Sequence, residues 1–186
     1  MLITSSKPIT LKEFLSLPET KPAKEYISGK IIQKPMPKGK HSTIQTELST
    51  AINATLKSNK VARAFSELRC TFGDRSIVPD ITILKWNNIA RDDNGEIADS
   101  FYTAPDWVIE ILSPEQSQTK VVKNILYCLD NGTEIGWLID PNDKCVFVYF
   151  SQQKPLLFEA DDDILPVPNF AKSFNLTVGK LWDFLQ

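Results

Sequence analysis

One six-residue run, Trp107-Val108-Ile109-Glu110-Ile111-Leu112, limits the folds open to this chain more than any other part of it. Nearly continuous apolar sequence of this length marks a strand buried on both faces of its sheet, so other elements must cover each side. A single acid, Glu110, interrupts the run. An ionised carboxylate in such a place costs several kcal/mol unless it is paired or bound to a metal. Asp80 is in the same position within Val78-Pro79-Asp80-Ile81-Thr82-Ile83-Leu84. Two apolar strands therefore each carry one anomalous acid.

The surrounding pattern predicts a mixture of strands and helices. Thr10 before LKEFLSL, with Pro18 after it, predicts a short capped helix, and EYISGKIIQKPMP predicts a hairpin turning at Ser28-Gly29. From His41 to Ser58, Ile44, Leu48, Ala51, Ile52, Thr55 and Leu56 recur at spacings of three and four, the pattern of an amphipathic helix. VARAFSEL and SIVPDITIL read as strands separated by a Gly73-Asp74 turn, with Pro79 interrupting the second. Residues 86–105 read as a long, polar surface excursion. After the strand at 107–112, Ser113-Pro114-Glu115 has the form of a helix start, and Val121, Val122, Ile125, Leu126 and Leu129 give that helix a core face. EIGWLID and KCVFVYF are two further strands, followed by a strand near KPLLFEA and a helix from Thr177 to Leu185. This order predicts an α/β fold with a central mixed sheet flanked by helices and an added N-terminal hairpin.

At 186 residues and 42% hydrophobic content, the chain is long enough for one ordinary core and short for two, so residues 1–186 are read as a single domain. No apolar run approaches the roughly 20 residues of a membrane helix, and MLITSSKPIT lacks the apolar core of a secretory signal, which predicts a cytoplasmic protein. Cys70, Cys128 and Cys145 are far apart and read as buried thiols. The net charge of −2 is not that of a general nucleic-acid binder. Its distribution is uneven, with 13 Lys and Arg against 6 Asp and Glu in residues 1–75, and 8 against 17 in residues 76–186. A basic half suits a phosphate backbone and an acidic half can supply metal ligands, although solvated surface lysines give the same count.

If the strands bearing Asp80 and Glu110 are neighbours, their carboxylates can converge on a hard divalent cation, Mg²⁺ or Mn²⁺. Such an ion polarises a phosphodiester and acidifies a water. The alternative for both acids is a structural ion pair within the sheet.

Pro79-Asp80, then Ile109-Glu110-Ile111-Leu112-Ser113-Pro114, then a helix leading to Gly132 and Trp137-Leu138-Ile139-Asp140-Pro141, resembles the PD-(D/E)XK nuclease superfamily. More narrowly, the chain resembles the restriction-endonuclease-like family abundant in cyanobacteria, from about Thr10 to Tyr149 and including EYISGK and His41. The resemblance implies a restriction-endonuclease-like core, Asp80 and Glu110 as metal ligands, and a lysine beside them. In the superfamily that lysine stands two residues after the glutamate, where this chain has Leu112. Many family members carry it on the following helix instead, one turn after an acid. Counting from Glu110 to Gly132 puts Lys120 at the acid's position and Asn124 at the lysine's, with Lys123 next to it. Residues 120 and 124 share a helix face, so Lys120 is the favoured cation and Lys123 the second choice. Each also reads as an ordinary solvated lysine.

Glu25 matches the family's hairpin acid, and His41 and Gln45, one helical turn apart, are further candidates to approach the metal. His41 equally reads as a helix cap. Lys30, Lys34, Lys38 and Lys40, with Gly39, read as a basic loop able to track a phosphate backbone or as a solvated loop. The expected function is a metal-dependent DNA endonuclease. Against it stands a nuclease-like fold kept as a nucleic-acid or protein-binding module, on its own or within a mobile-element or restriction assembly. A homodimer would match the two-fold symmetry of a duplex, although no sequence feature requires one.

Overall fold

The protein is seen in a computed structural model that describes residues 9–114 and 116–186. It is an α/β molecule built on two sheets. The first element, α1 (Leu11–Leu15), opens with a reciprocal cap. Thr10 Oγ1 accepts from Glu13 N, and Glu13 Oε2 accepts from Thr10 N at 2.7 Å. This pairing satisfies two donors that the first helical turn leaves open. The hairpin follows as β1 (Lys24–Ile27) and β2 (Lys30–Gln33), and then the long α2 (Gly39–Leu56). Both hairpin turn residues, Ser28 and Gly29, adopt positive φ, as the tight two-residue connection between twisted strands requires.

The next strands are β3 (Ala62–Ser66), β4 (Cys70–Phe72), β5 (Arg75–Ile77) and β6 (Ile81–Lys85). The N-terminal hairpin is not an isolated appendage, because β1 pairs with β5 and β5 with β4, giving an antiparallel sheet ordered β2-β1-β5-β4. Three-residue β4 was not foreseen, since Cys70-Thr71-Phe72 is too short to show an alternation. The second sheet is completed by β7 (Trp107–Ile111), β8 (Ile135–Asp140), β9 (Cys145–Phe150) and β10 (Leu156–Phe158), in the order β10-β9-β8-β7-β6-β3. Only β7 and β8 run parallel in it, and α3 (Gln118–Asp130) connects them.

Both faces of the central strand β7 are covered, as its composition demanded. Ile44, Leu48, Ile52 and Leu56 of α2 pack with Trp107, Ile109 and Ile111, and α4 (Val178–Asp183) adds Val178, Leu181 and Trp182. On the opposite face Val121, Ile125, Cys128 and Leu129 of α3 pack with Val108, Leu112 and Leu138. Each fully buried aliphatic side chain contributes about 1.5–3 kcal/mol, so α2 is held far more by this stripe than by its end, where Lys38 makes no side-chain cap.

Two sequence expectations need correction. Helix α3 starts at Gln118 with Ser117 as cap, not at Ser113-Pro114. Ser113 and Pro114 instead form a turn leaving β7, where Ser113 O accepts from Gln116 N at 2.9 Å. Glu115 and residues 1–8, on which parts of the helix-start and signal readings fell, lie outside the described residues. The 86–105 segment is also no free excursion. Ile89 and Phe101 are buried with Leu84 in a third small core, and Phe101 O accepts from Thr71 N. Cys70, Cys128 and Cys145 are buried and free. Among the described residues no helix is long and apolar enough to cross a membrane.

Candidate active site

The two sheets meet where the chain passes from β5 to β6 through Val78-Pro79-Asp80. Proline cannot donate to a ladder, so pairing stops here and the chain changes sheets. The last β6–β7 pair before this step is Ile81 with Ile109. Just beyond it Asp80 lies beside Glu110, whose side chain shares the sheet face of Val108 and Leu112.

Asp80 is 2% exposed, and its carboxylate is densely contacted. Oδ1 accepts from Lys34 Nζ at 2.7 Å, while Oδ2 accepts from Ile111 N at 2.8 Å and lies 3.0 Å from His41 Nε2. Lys34 Nζ also donates to Val78 O at 2.6 Å, and Gln45 Nε2 donates to Asp80 O at 2.7 Å. Glu25 Oε1 accepts from Val78 N at 2.9 Å, and Asn124 Nδ2 lies 3.4 Å from Glu25 Oε2. Glu25 and Lys34 thus hold the backbone step that carries Asp80. Hairpin, α2, the sheet crossing, β7 and α3 each contribute to one cluster.

Its charges are unbalanced, with three buried carboxyls, Glu25, Asp80 and Glu110, facing one ammonium. Burial alone would raise the Asp80 carboxyl, but the Lys34 charge and the His41 hydrogen bond overcome it and hold Asp80 below the usual carboxylate range. Burial would likewise lower Lys34, yet Asp80, Glu110 and Glu25 together keep its ammonium protonated. For Glu110 the Lys34 charge is not enough. Burial first, and the adjacent Asp80 charge second, raise it well above an ordinary glutamate. Burial also raises Glu25, with Lys34 partly opposing.

A cavity of about 440 Å³ opens beside the cluster, with Glu25, Lys34, Glu110 and Asn124 among its lining residues. Lys120 and Lys123, the two lysines read as candidate cations, are exposed and line the same cavity. Among the described residues neither lysine forms an ion pair or hydrogen bond with the three acids. Lys34, read as a loop lysine, is the ammonium that reaches Asp80, while Lys30, Lys38 and Lys40 are exposed. A signal for Lys34 did exist. In the hairpin register Glu25 faces Ile32, so alternation along β2 puts Lys34 on the face of Glu25.

Over residues 11–179 the chain matches the Uma2 family model, described as a putative restriction endonuclease. The chain belongs to this family. Family and fold together support a nuclease. A crystal structure of a protein from Anabaena variabilis ATCC 29413, described as a putative nuclease belonging to DUF820, is 60% identical to this chain. It covers 96% of this chain and 100% of its own, with a TM-score of 0.94. No curated protein matches.

Restriction-endonuclease-like nucleases generally use divalent metals, so the fit of this Uma2 site to such an ion bears directly on its chemistry. Among the described residues no group of three or more His, Cys, Asp or Glu is arranged as a metal cage. Mg²⁺ does not demand one, because it is commonly held by one or two carboxylates with water and substrate phosphate filling the remaining positions. The unneutralised second carboxylate is the feature that fits. Asp80 is paired with Lys34, whereas burial and the Asp80 charge raise the Glu110 carboxyl in spite of Lys34. Asp80 and Glu110 supply hard oxygen donors of the right kind.

Proposed function

We propose that this protein is a divalent-metal-dependent endonuclease that hydrolyses phosphodiester bonds of DNA, with Asp80 and Glu110 as the metal-binding carboxylates. The observation that carries the reading is the pairing of Asp80 with the largely buried Lys34 ammonium, next to a second buried acid, Glu110. When bound, Mg²⁺ or Mn²⁺ supplies Lewis-acid polarisation of the phosphodiester and an acidified water.

The chain's own residues have separable roles. Lys34 fixes Asp80 and presents a positive charge where negative charge develops on the phosphoryl oxygens. His41 and the Ile111 amide orient the second Asp80 oxygen. Glu25 acts as a positioning residue, holding the Val78 amide and hence the turn that presents Asp80. Lys120 and Lys123 at the cavity wall attract the polyanion and serve binding more than chemistry. The reading as a binding module rests on the missing strand lysine, the changed helix positions and the acidic charge balance, and to the first of these Lys34 offers an answer from the hairpin side. Asn124, at the position where relatives place a lysine, then has the smaller task of hydrogen bonding Glu25.

Cleavage of a supercoiled plasmid and of labelled oligonucleotides in Mg²⁺ or Mn²⁺ tests this reading. Wild-type protein should cut, and Asp80→Asn should lose about 1000-fold in rate. Lys34→Met should lose about 100-fold in kcat with little change in KM, whereas Lys120→Met should mainly raise KM. Equal loss for Lys34→Met and Lys120→Met would return the cation's role to the helix.

A further inference from the structure

Arg75 lines the same cavity from β5 and lies outside every role assigned above. Its guanidinium carbon sits 3.8 Å from the centre of the Tyr127 ring, which stacks on Phe72 at 5.3 Å. Tyr127 is itself fixed. Its hydroxyl accepts from Asp74 N at 3.0 Å and lies 2.9 Å from Asp74 Oδ1. Gly73 leaves room for that hydroxyl, since a Cβ there would run into it. Arg75 therefore rests on a rigid aromatic support formed by the β4–β5 hairpin and α3.

Arg75 Nε and Nη1 are buried, and among the described residues neither has a hydrogen-bond partner. No carboxylate pairs with Arg75 among the described residues, although Glu25 and Glu110 line the same cavity. Arginine carries five donors in a planar fork matched to two oxygens of a phosphate. Burying such donors unpaired is costly, and an anion bridging them would remove that cost. Lys120 and Lys123 add further donors around the cavity and favour the same ligand charge.

We infer that Arg75, supported by Tyr127, binds a phosphodiester group of the nucleic acid in this cavity and so sets the position of the strand relative to Asp80 and Glu110. This rests on the nuclease reading and adds to it the residue that orients the substrate. The guanidinium acts on an unreacting phosphate and takes no part in bond cleavage.

The test is binding of a labelled DNA oligonucleotide by fluorescence anisotropy over a salt series, with Ca²⁺ in place of the active metal, for wild type, Arg75→Lys and Arg75→Met. Methionine keeps the apolar packing on Tyr127, and thermal melting checks that each variant is folded. Arg75→Met should weaken binding about 10- to 100-fold. It should also lower the slope of log affinity against log salt by about one phosphate contact. Lysine should restore the slope but only part of the affinity.

A second arm uses wild type and Arg75→Met and replaces single phosphates in the oligonucleotide by neutral methylphosphonate. One position should cost wild type as much as Arg75→Met costs, and should cost Arg75→Met nothing further. If wild type binds and cuts but Arg75→Met matches it in affinity and slope, or no phosphate position couples to Arg75, the assignment to Arg75 is overturned and the nuclease reading stands. If wild type neither binds nor cuts, both fall together.

Discussion

Glu110 and Asp80 sit side by side, yet they tie stability to pH with opposite signs. Glu110 is raised above the ordinary glutamate value, so its contribution to stability is full below the unfolded-state pKa and is lost as pH rises through the folded value. Asp80 is lowered, so its contribution is present above the ordinary aspartate range and disappears as pH falls through its folded value. In metal-free protein, Glu110→Gln should therefore raise Tm at pH 8 and leave it unchanged near pH 4. The gain should be a few degrees, since 1 kcal/mol corresponds to about 2–4 °C for a chain of this size. Calorimetry in EDTA measures it, and an equal Tm at pH 8 would remove the argument that burial and Asp80 hold Glu110 above the ordinary glutamate range. Addition of Mn²⁺ should then stabilise wild type more than the glutamine variant.

The same residues show what single positions reveal in a sequence. Asp80 and Glu110 stood out because an acid within apolar strand sequence is a local contradiction. Glu25 and His41 became candidates only through family resemblance, because nothing in their immediate neighbours marks them. Lys34 was misjudged for a physical reason. A lysine among prolines and other lysines has the composition of a solvated loop, and its burial comes from a contact with a residue 46 positions away.

At the scale of elements, α3 shows how tightly the site's scaffold is packed. A Cβ at Gly136 on β8 would run into the Ile125 side chain of α3, so this glycine allows the helix to approach the sheet closely. Gly136→Ala should destabilise by about 1–3 kcal/mol through overpacking and, by shifting α3, should weaken the Asn124–Glu25 contact. Urea unfolding reads the first effect, and a rise in KM larger than the fall in kcat reads the second. Elements with strong periodicity, such as α2, α3 and β7 to β9, were legible from the sequence almost to their ends. The start of α3 was not, because Ser113-Pro114 satisfies the rules for a helix cap and for a turn equally well. The burial of Ile89 and Phe101 was hidden by the polar residues between them, since no period links side chains that dock singly.

For the whole molecule, the α/β class and the mixed central sheet followed from the order of elements. The joining of the hairpin into a four-stranded sheet did not. That pairing depends on β5 meeting β1 across 49 intervening positions, Tyr26 opposite Ser76, and no local pattern encodes it. Cutting both strands of a duplex at once calls for two such sites, so an enzyme of the proposed kind that makes double-strand breaks would work as a homodimer. Light scattering should give twice the 21.0 kDa chain mass, at least with oligonucleotide bound. A monomeric complex that still makes double-strand breaks would refute this.

The crossing at Val78-Pro79-Asp80 has one more consequence. Lys34 and Glu25 belong to the smaller sheet's hairpin, Glu110 belongs to the larger sheet, and Asp80 stands on the β5–β6 step, one of the places where the chain passes between them. The acids and their ammonium thus work as a clasp across a seam. Any motion that parts the two sheets dismantles the reactive arrangement before it exposes the main core, so the enzyme would fall silent while most of its fold is still intact.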